Sequence, residues 1–335
     1  MKRILISRFR DWRCRKIQET IKDEFEVITI DHEPSYLYGN DFKMSYRYKT
    51  AGSLFWKAQI KNIIEDHKIT HAIIAQKLND MAEATYEVCK EMGVKCIWGE
   101  VFFDDKLILD YNGLQYTPDN DIMRYADSWK GKEIDLPKTT RQPQPEGILS
   151  YAQLQEKYSL KGNEIVIIGQ VPHDMALKHS LLGELNYDEF IKNVAENNPE
   201  NEIIFKPHPQ SNAYEMGLHR YKNIKIVKES LETYFNCFDD YVMFSSTVGL
   251  EALIRNKKVA VCGYGMVTND KLSVLIKSLE DFKDIKNKLR QFKICEETKT
   301  RWLSFLTTRY AVDMNKPEFT HKLLLIAEEY YANGI

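Results

Sequence analysis

The chain has 335 residues, too many for one ordinary hydrophobic core, so two domains are expected. Its formal net charge is −2, with 47 Lys and Arg spread along the chain against 49 Asp and Glu. That balance excludes a polyanion-binding protein of the nucleic-acid type but leaves room for a local basic site for a small anion. Hydrophobic residues at 43% and charged residues at 29% are those of a soluble globular protein, and no apolar run approaches a membrane span.

The chain begins Met1-Lys2-Arg3-Ile4-Leu5-Ile6-Ser7. The apolar run is too short for a signal peptide, and Arg8 and Arg10 follow at once, so a first β-strand is expected over Arg3–Ser7. Helical spacing follows at Asp11–Lys22, then alternation at Phe25–Ile30. A helix is expected at Ala51–Asp66, a buried strand at Thr70–Ala75, a helix at Leu78–Met92 and a strand at Val94–Trp98. Such βα alternation predicts a parallel sheet with helices on both faces. Tyr111-Asn112-Gly113, between Leu107–Asp110 and Leu114–Tyr116, reads as the turn of a β-hairpin. From Thr117 to Asn163 the pattern dissolves around Pro137, Pro143 and Pro145, as in an interdomain connection, with a short helix at Tyr151–Tyr158.

Alternation then restarts, with strands at Glu164–Ile168, Glu202–Lys206, Ile224–Val227, Tyr241–Ser245 and Val259–Cys262. Helices are expected at Tyr187–Asn197, Leu231–Cys237, Val248–Ile254 and Pro317–Ala332. The domains are drawn at 1–150 and 164–335, with a linker at about 117–163 and the last helix able to pack back on the first domain. The class is α/β. Two successive Rossmann-like domains with parallel sheets facing a central cleft describe the GT-B architecture, in which ligands sit at the carboxyl ends of strands. Six cysteines (Cys14, Cys89, Cys96, Cys237, Cys262 and Cys295) lack CxxC pairing, and scattered thiols fit a cytoplasmic protein.

Three motifs fall just after predicted strands. Lys206-Pro207-His208-Pro209 holds an ammonium and an imidazole on a stiff backbone, which suits a phosphate; it also reads as a proline-terminated strand with an exposed His. Ser245-Ser246-Thr247-Val248-Gly249-Leu250-Glu251 opens a helix with three hydroxyls where a cap needs one. Spare hydroxyls at a helix start suit an anion, Gly249 permits a close approach, and Glu251, one turn in, suits ribose hydroxyls. Gly169-Gln170-Val171-Pro172-His173-Asp174 makes a sharp turn. A helical turn there would put Gln170 and Asp174 on one face; otherwise Asp174 caps the next helix. Glu100 stands between Trp98 and Phe102-Phe103, a setting that suits sugar stacking and core packing alike. Asp119-Asn120-Asp121 matches a metal-binding DxD pattern but reads as a polar turn. Asp104-Asp105 and Asp239-Asp240 read as solvated loop charges. His67, His71, His219 and His321 read as surface or packing histidines.

Together these residues resemble the retaining β-Kdo glycosyltransferases of bacterial capsule and O-antigen assembly. The likeness rests on Gln170 to Asp174, Lys206 to Pro209, Ser245 to Glu251, Trp98-Gly99-Glu100-Val101-Phe102 and the segment Leu107 to Tyr116. Where capsule members carry Asp-Gly after the first acidic residue, this chain has Val101-Phe102. The resemblance implies CMP-Kdo as donor, a glycan as acceptor and transfer with retention. It implies Asp174 as nucleophile, Gln170 placing the sugar, Lys206 and His208 on the phosphate, and Ser245, Ser246 and Thr247 on the phosphate or cytidine. Glu251 would hold the ribose, and Glu100 would act as acid/base. CMP-Kdo carries one phosphate, so neither metal nor cofactor is required. The expected setting is cytoplasmic, with a peripheral contact to the inner membrane or a polysaccharide-assembly complex left open. A CMP-sialic acid or other nucleotide-sugar transferase, a non-catalytic nucleotide-sugar-binding subunit and a GT-B-type epimerase are the rival readings.

Overall fold

The computed structural model of the chain describes residues 2–7, 11–30, 45–75, 80–102, 106–110, 126–135, 147–171, 174–209, 215–316 and 319. The strands, in chain order, begin with β1 (Lys2–Ser7), β2 (Phe25–Ile30), β3 (His71–Ala75), β4 (Lys95–Val101) and β5 (Lys106–Asp110). They continue with β6 (Ile165–Ile168), β7 (Ile203–Lys206), β8 (Ile224–Ile226), β9 (Asp240–Met243), β10 (Lys258–Val261), β11 (Val274–Leu275) and β12 (Ala311–Asp313). The helices are α1 (Asp11–Ile21), α2 (Ser45–His67), α3 (Asp80–Glu91), α4 (Tyr151–Tyr158), α5 (Tyr187–Glu196), α6 (Leu231–Cys237), α7 (Val248–Ile254), α8 (Ile285–Gln291) and α9 (Glu296–Ser304).

The chain divides into two units. The first comprises Met1–Leu114, Asp135–Thr139 and Leu306–Ile335, and the second Gln115–Ile134 and Thr140–Phe305. The first sheet has the order β12-β5-β4-β3-β1-β2. β1 to β4 run parallel, as βα alternation requires, whereas β5 pairs antiparallel with both of its neighbours, β4 and β12. The expected hairpin turn at Tyr111-Asn112-Gly113 lies outside the described residues; among those described, the partners of β5 are β4 and β12. The sequence places the second domain at 164–335, with the last helix, Pro317–Ala332, able to pack back on the first; nearly all of that helix lies outside the described residues. The chain leaves the second unit after α9, passes through a π-helical turn (Phe305–Tyr310) and pairs β12 with β5 in the first sheet. The return is fastened by polar contacts. Lys106 Nζ donates to Asp135 Oδ2 at 2.6 Å and to Thr307 O at 3.0 Å, and Tyr310 Oη donates to Asp110 Oδ2 at 2.7 Å. Val312, Met314 and Phe319 complete an apolar cluster with Ile4, Ile6, Ile97, Leu107 and Leu109.

The second sheet is parallel throughout, with the order β11-β10-β9-β6-β7-β8. From β6 the chain first winds outward through β7 and β8, then crosses to β9 on the other side. That is a doubly wound sheet with its switch point between β6 and β9. Its four inner strands, β6, β7, β9 and β10, are short and almost wholly buried, so they read as largely apolar runs. Capping boxes set two of its helices: Ser150 with Gln153 opens α4, and Asn186 with Glu189 opens α5. Helix α5 then buries Phe190, Ile191 and Val194 against Ile167, Phe205, Phe244 and Phe282.

Candidate functional site

Strands β9, β6 and β7 are neighbours, and each of the three motifs lies in the loop that leaves one of their carboxyl ends. The motifs come from segments far apart in sequence, and the topology alone brings them to one sheet edge beside the switch point. Such an edge is where open α/β sheets bind ligands.

Lys206 is the last residue of β7, in register with Ile168 of β6. Its ammonium stands 5.8 Å from the ring centroid of Tyr234, a cation–π distance, and 3.5 Å from the Pro207 carbonyl oxygen. Pro207 is buried, His208 half-buried and Pro209 exposed. Gly169 donates its N–H to Lys206 O at 2.8 Å. A Cβ at Gly169 would lie 2.7 Å from that same oxygen and 2.7 Å from the Phe205 ring, so glycine is demanded by the packing of adjacent strand ends.

Gln170 is buried, at 4% exposure. Its backbone N–H donates to Tyr187 Oη at 2.8 Å, and its Oε1 accepts from the Ser245 backbone N–H at 2.9 Å. Its Nε2 reaches Ser245 Oγ at 3.5 Å. The side chain thus ties the β6 loop to the β9 loop across the switch point. The expected shared helical face with Asp174 is absent, because residues 169–171 are not helical and a 3-10 turn begins only at Met175. Asp174 is exposed and caps that turn, its Oδ1 accepting from Ala176 N at 2.9 Å. Its second carboxylate oxygen is not used by that cap. Pro172 and His173 lie outside the described residues.

The three hydroxyls after β9 divide their tasks. Ser245 Oγ donates to Ala176 O at 2.9 Å, and Ser246 Oγ accepts from Val248 N at 3.2 Å. Thr247 occupies the cap position of α7, is exposed and makes no side-chain cap bond. Gly249 is packed by side chains: a Cβ there would lie 2.8 Å from Val267 Cγ2 and 3.0 Å from Met243 Sδ. The approach it permits is that of helix to strand, not of a ligand. Glu251, half-buried, lies four residues from Thr247 on the same helical face. Its Oε2 stands 3.9 Å from an Arg255 guanidinium nitrogen.

Four features escaped the sequence reading. Tyr187 anchors Gln170, and burial pushes its hydroxyl well above the usual tyrosine range. Tyr234 lies beneath Lys206, and Arg255 stands beside Glu251. Gly265 backs Ser245, since a Cβ there would lie 3.0 Å from Ser245 O. Only the glycine carries a sequence signal, as a small residue just past a strand; the others appear once the sheet order is known.

In the first unit, Glu100 lies on β4 opposite Ile108, half-buried, with Oε1 accepting from Val101 N at 3.0 Å. Trp98 is buried and stacked on Tyr86 at 4.8 Å, and Phe102 is buried too, so both pack the fold rather than offering a face to a sugar. His71 is a buried strand residue sharing a 2.8 Å hydrogen bond with Thr70; His67 and His219 are exposed. Asp239 is exposed and paired with Lys257 at 2.7 Å, while Asp240 begins β9 with its carboxyl raised by burial. Asp104, Asp105, Asp119, Asn120, Asp121 and His321 lie outside the described residues. Among the described residues, no helix is long and apolar enough to cross a membrane.

Residues 149–273 match the family model described as capsule polysaccharide biosynthesis protein. The matched stretch lies within the second unit and contains Gln170, Asp174, Lys206, His208, Ser245 and Glu251. Glu100 stands outside it. The lipopolysaccharide-processing protein LpsZ of Rhizobium meliloti is 28% identical over 110 residues, covering 30% of this chain and 24% of that protein. The chain thus spans about a quarter of that relative's length. Among solved structures, Thermosulfurimonas dismutans KpsC, β Kdo 2,7 transferase, is similar with a TM-score of 0.53 at 15% identity, over 98% of this chain and 100% of that one. The β Kdo 2,4 transferase of the same KpsC gives a TM-score of 0.51 at 15% identity, over 96% and 97%. At that identity the likeness is one of fold, and it makes the chain GT-B-like in both of its α/β units.

Proposed function

We propose that this chain is a glycosyltransferase of bacterial surface-polysaccharide assembly that moves Kdo from CMP-Kdo to a glycan acceptor with retention. The observation that supports this reading most is the convergence of three loops at one carboxyl edge, inside the segment that matches the capsule-biosynthesis family. In this reading Lys206, His208 and Thr247 bind the single phosphate and favour its departure. Glu251 accepts from the ribose. Gln170 acts by holding Ser245 in place.

The chemistry is two inversions. An oxygen of the Asp174 carboxylate attacks the anomeric carbon, and the bond from that carbon to the phosphate oxygen breaks, releasing CMP. The acceptor hydroxyl then loses its proton to Glu100 and attacks the same carbon. The bond to Asp174 breaks and its carboxylate is regenerated. No step requires a metal, because one phosphate leaves and no diphosphate has to be bridged.

Turnover of CMP-Kdo by purified protein, run beside CMP-sialic acid and UDP-sugars, tests the donor. CMP at 100 times its Kd should stabilise the fold by about 2.7 kcal/mol, with UMP giving less. Intact-mass analysis should find a Kdo adduct on the wild type, lost in Asp174→Asn and accumulating in Glu100→Gln. Near-wild-type turnover by Asp174→Ala would exclude the nucleophile. Full loss of activity in EDTA, restored by a divalent ion, would contradict the metal-free scheme.

A further inference from the structure

Glu251 is a largely buried acid on a short helix, and a carboxylate that is to accept from two hydroxyls of a ribose must be held in one orientation. The structure supplies the holder. Arg255, one turn further along, donates through Nη1 to Glu251 O at 3.3 Å and stands 3.9 Å from Glu251 Oε2. Arg255 is itself clamped from two sides by helix α6. Its Nη2 donates to Glu232 Oε1 at 2.9 Å, and its guanidinium lies 4.5 Å above the ring centroid of Phe235. A planar guanidinium stacked on one face and bonded at one edge has little rotational freedom left. The arrangement also sets two acids, Glu232 and Glu251, around one cation, so Arg255 shields each from the other.

We propose that Arg255 is a positioning residue for the nucleotide site, holding the Glu251 carboxylate toward the ribose hydroxyls of the donor. The inference rests on the nucleotide reading given above. It assigns sugar discrimination in the nucleotide, ribose against deoxyribose, to a chain of three side chains that runs from α6 through Arg255 to Glu251. The same helix carries Tyr234 beneath Lys206, so both charged groups of the site share one support.

The test compares the Kd of CMP with that of its 2′,3′-dideoxy analogue, for wild type, Arg255→Met, Arg255→Lys and Glu251→Gln. The wild type should prefer CMP by about tenfold or more, as hydrogen bonds to a carboxylate require. Arg255→Met keeps an apolar stem over Phe235 but loses the charge, and its preference should fall toward one, as in Glu251→Gln. Arg255→Lys should retain an intermediate preference. A merely structural role would weaken both ligands alike and leave the ratio unchanged; that result in a folded Arg255→Met overturns the proposal. If Arg255→Met fails to give a cooperative melt, Glu232→Gln releases the clamp from its other end and should lower the same ratio. A wild type that binds CMP without discrimination refutes the role of Arg255 and leaves the phosphate reading standing. A wild type that binds neither CMP nor UMP refutes both.

Discussion

At the residue scale, the site is held by polar bonds that bridge loops and are shielded from water. Tyr187 Oη is the acceptor for the buried Gln170 N–H, so Tyr187→Phe should leave that donor unpaired and cost about 1–3 kcal/mol in urea unfolding. Gln170→Leu should strip the partner from Ser245 N and lower stability, and with it the affinity for CMP that the proposed function requires, because the β9 loop then loses its tie to the β6 loop. Glu229 offers a pH test away from the site. Partial burial works against its ionisation, yet hydrogen bonds from Lys157 at 2.7 Å and Tyr158 at 2.6 Å hold its carboxyl below the usual range. A depressed acid stabilises the fold above its unfolded-state value and loses that contribution as pH falls through its folded-state value. Glu229→Gln should therefore cost about 1–2 kcal/mol at pH 7, with the gap to wild type closing as pH falls through the depressed folded-state value of Glu229. The motif residues themselves were legible in sequence: Lys206, Ser245 and Glu251 all leave or follow the strands expected of them. Their partners were not. Nothing local distinguishes Tyr187 or Arg255 from any other helix-end tyrosine or arginine until the sheet order puts Gln170 and Glu251 beside them.

At the element scale, the second unit was legible because each element carries its own signal. Tyr151–Tyr158, Leu231–Cys237 and Val248–Ile254 are helices with the bounds that caps and apolar spacing predict. The elements that went unread are short or polar, such as β11 with two residues and α8 with three Lys and Arg among its seven. They hold their shape through packing, Ile285 and Leu289 being buried in the same cluster as Phe190. Helix α7 shows what packing demands of sequence. Gly249→Ala should destabilise the unit by about 1–3 kcal/mol through overlap with Val267 and Met243. Val267→Ala should recover part of that loss in the double variant, and independent additive costs in thermal melts would refute the contact.

At the scale of the whole molecule, the least legible feature is the strand by which the chain rejoins its first sheet; the sequence suggests only a last helix packed there. β12 has three residues, and its signal is lost in a segment with no alternation of its own. What fixes it is non-local: the open edge of β5, the socket filled by Val312 and Met314, and the Lys106 contacts to Asp135 and Thr307. Removal of residues 306–335 should abolish hydrogen-exchange protection in β5 while the amides of β6 and β9 stay protected; unchanged protection in β5 would contradict the pairing. The same feature bears on biosynthesis. Asp110 and its partner Tyr310 are 200 residues apart, so the first sheet cannot close when its early strands leave the ribosome. At roughly 5–20 residues per second, β5 waits about 10–40 s with a bare edge while the entire second unit is made. Of the two units, the later one in sequence is the earlier one able to finish folding, and the nascent first unit needs a chaperone or its own slow pairing to keep that edge from other chains.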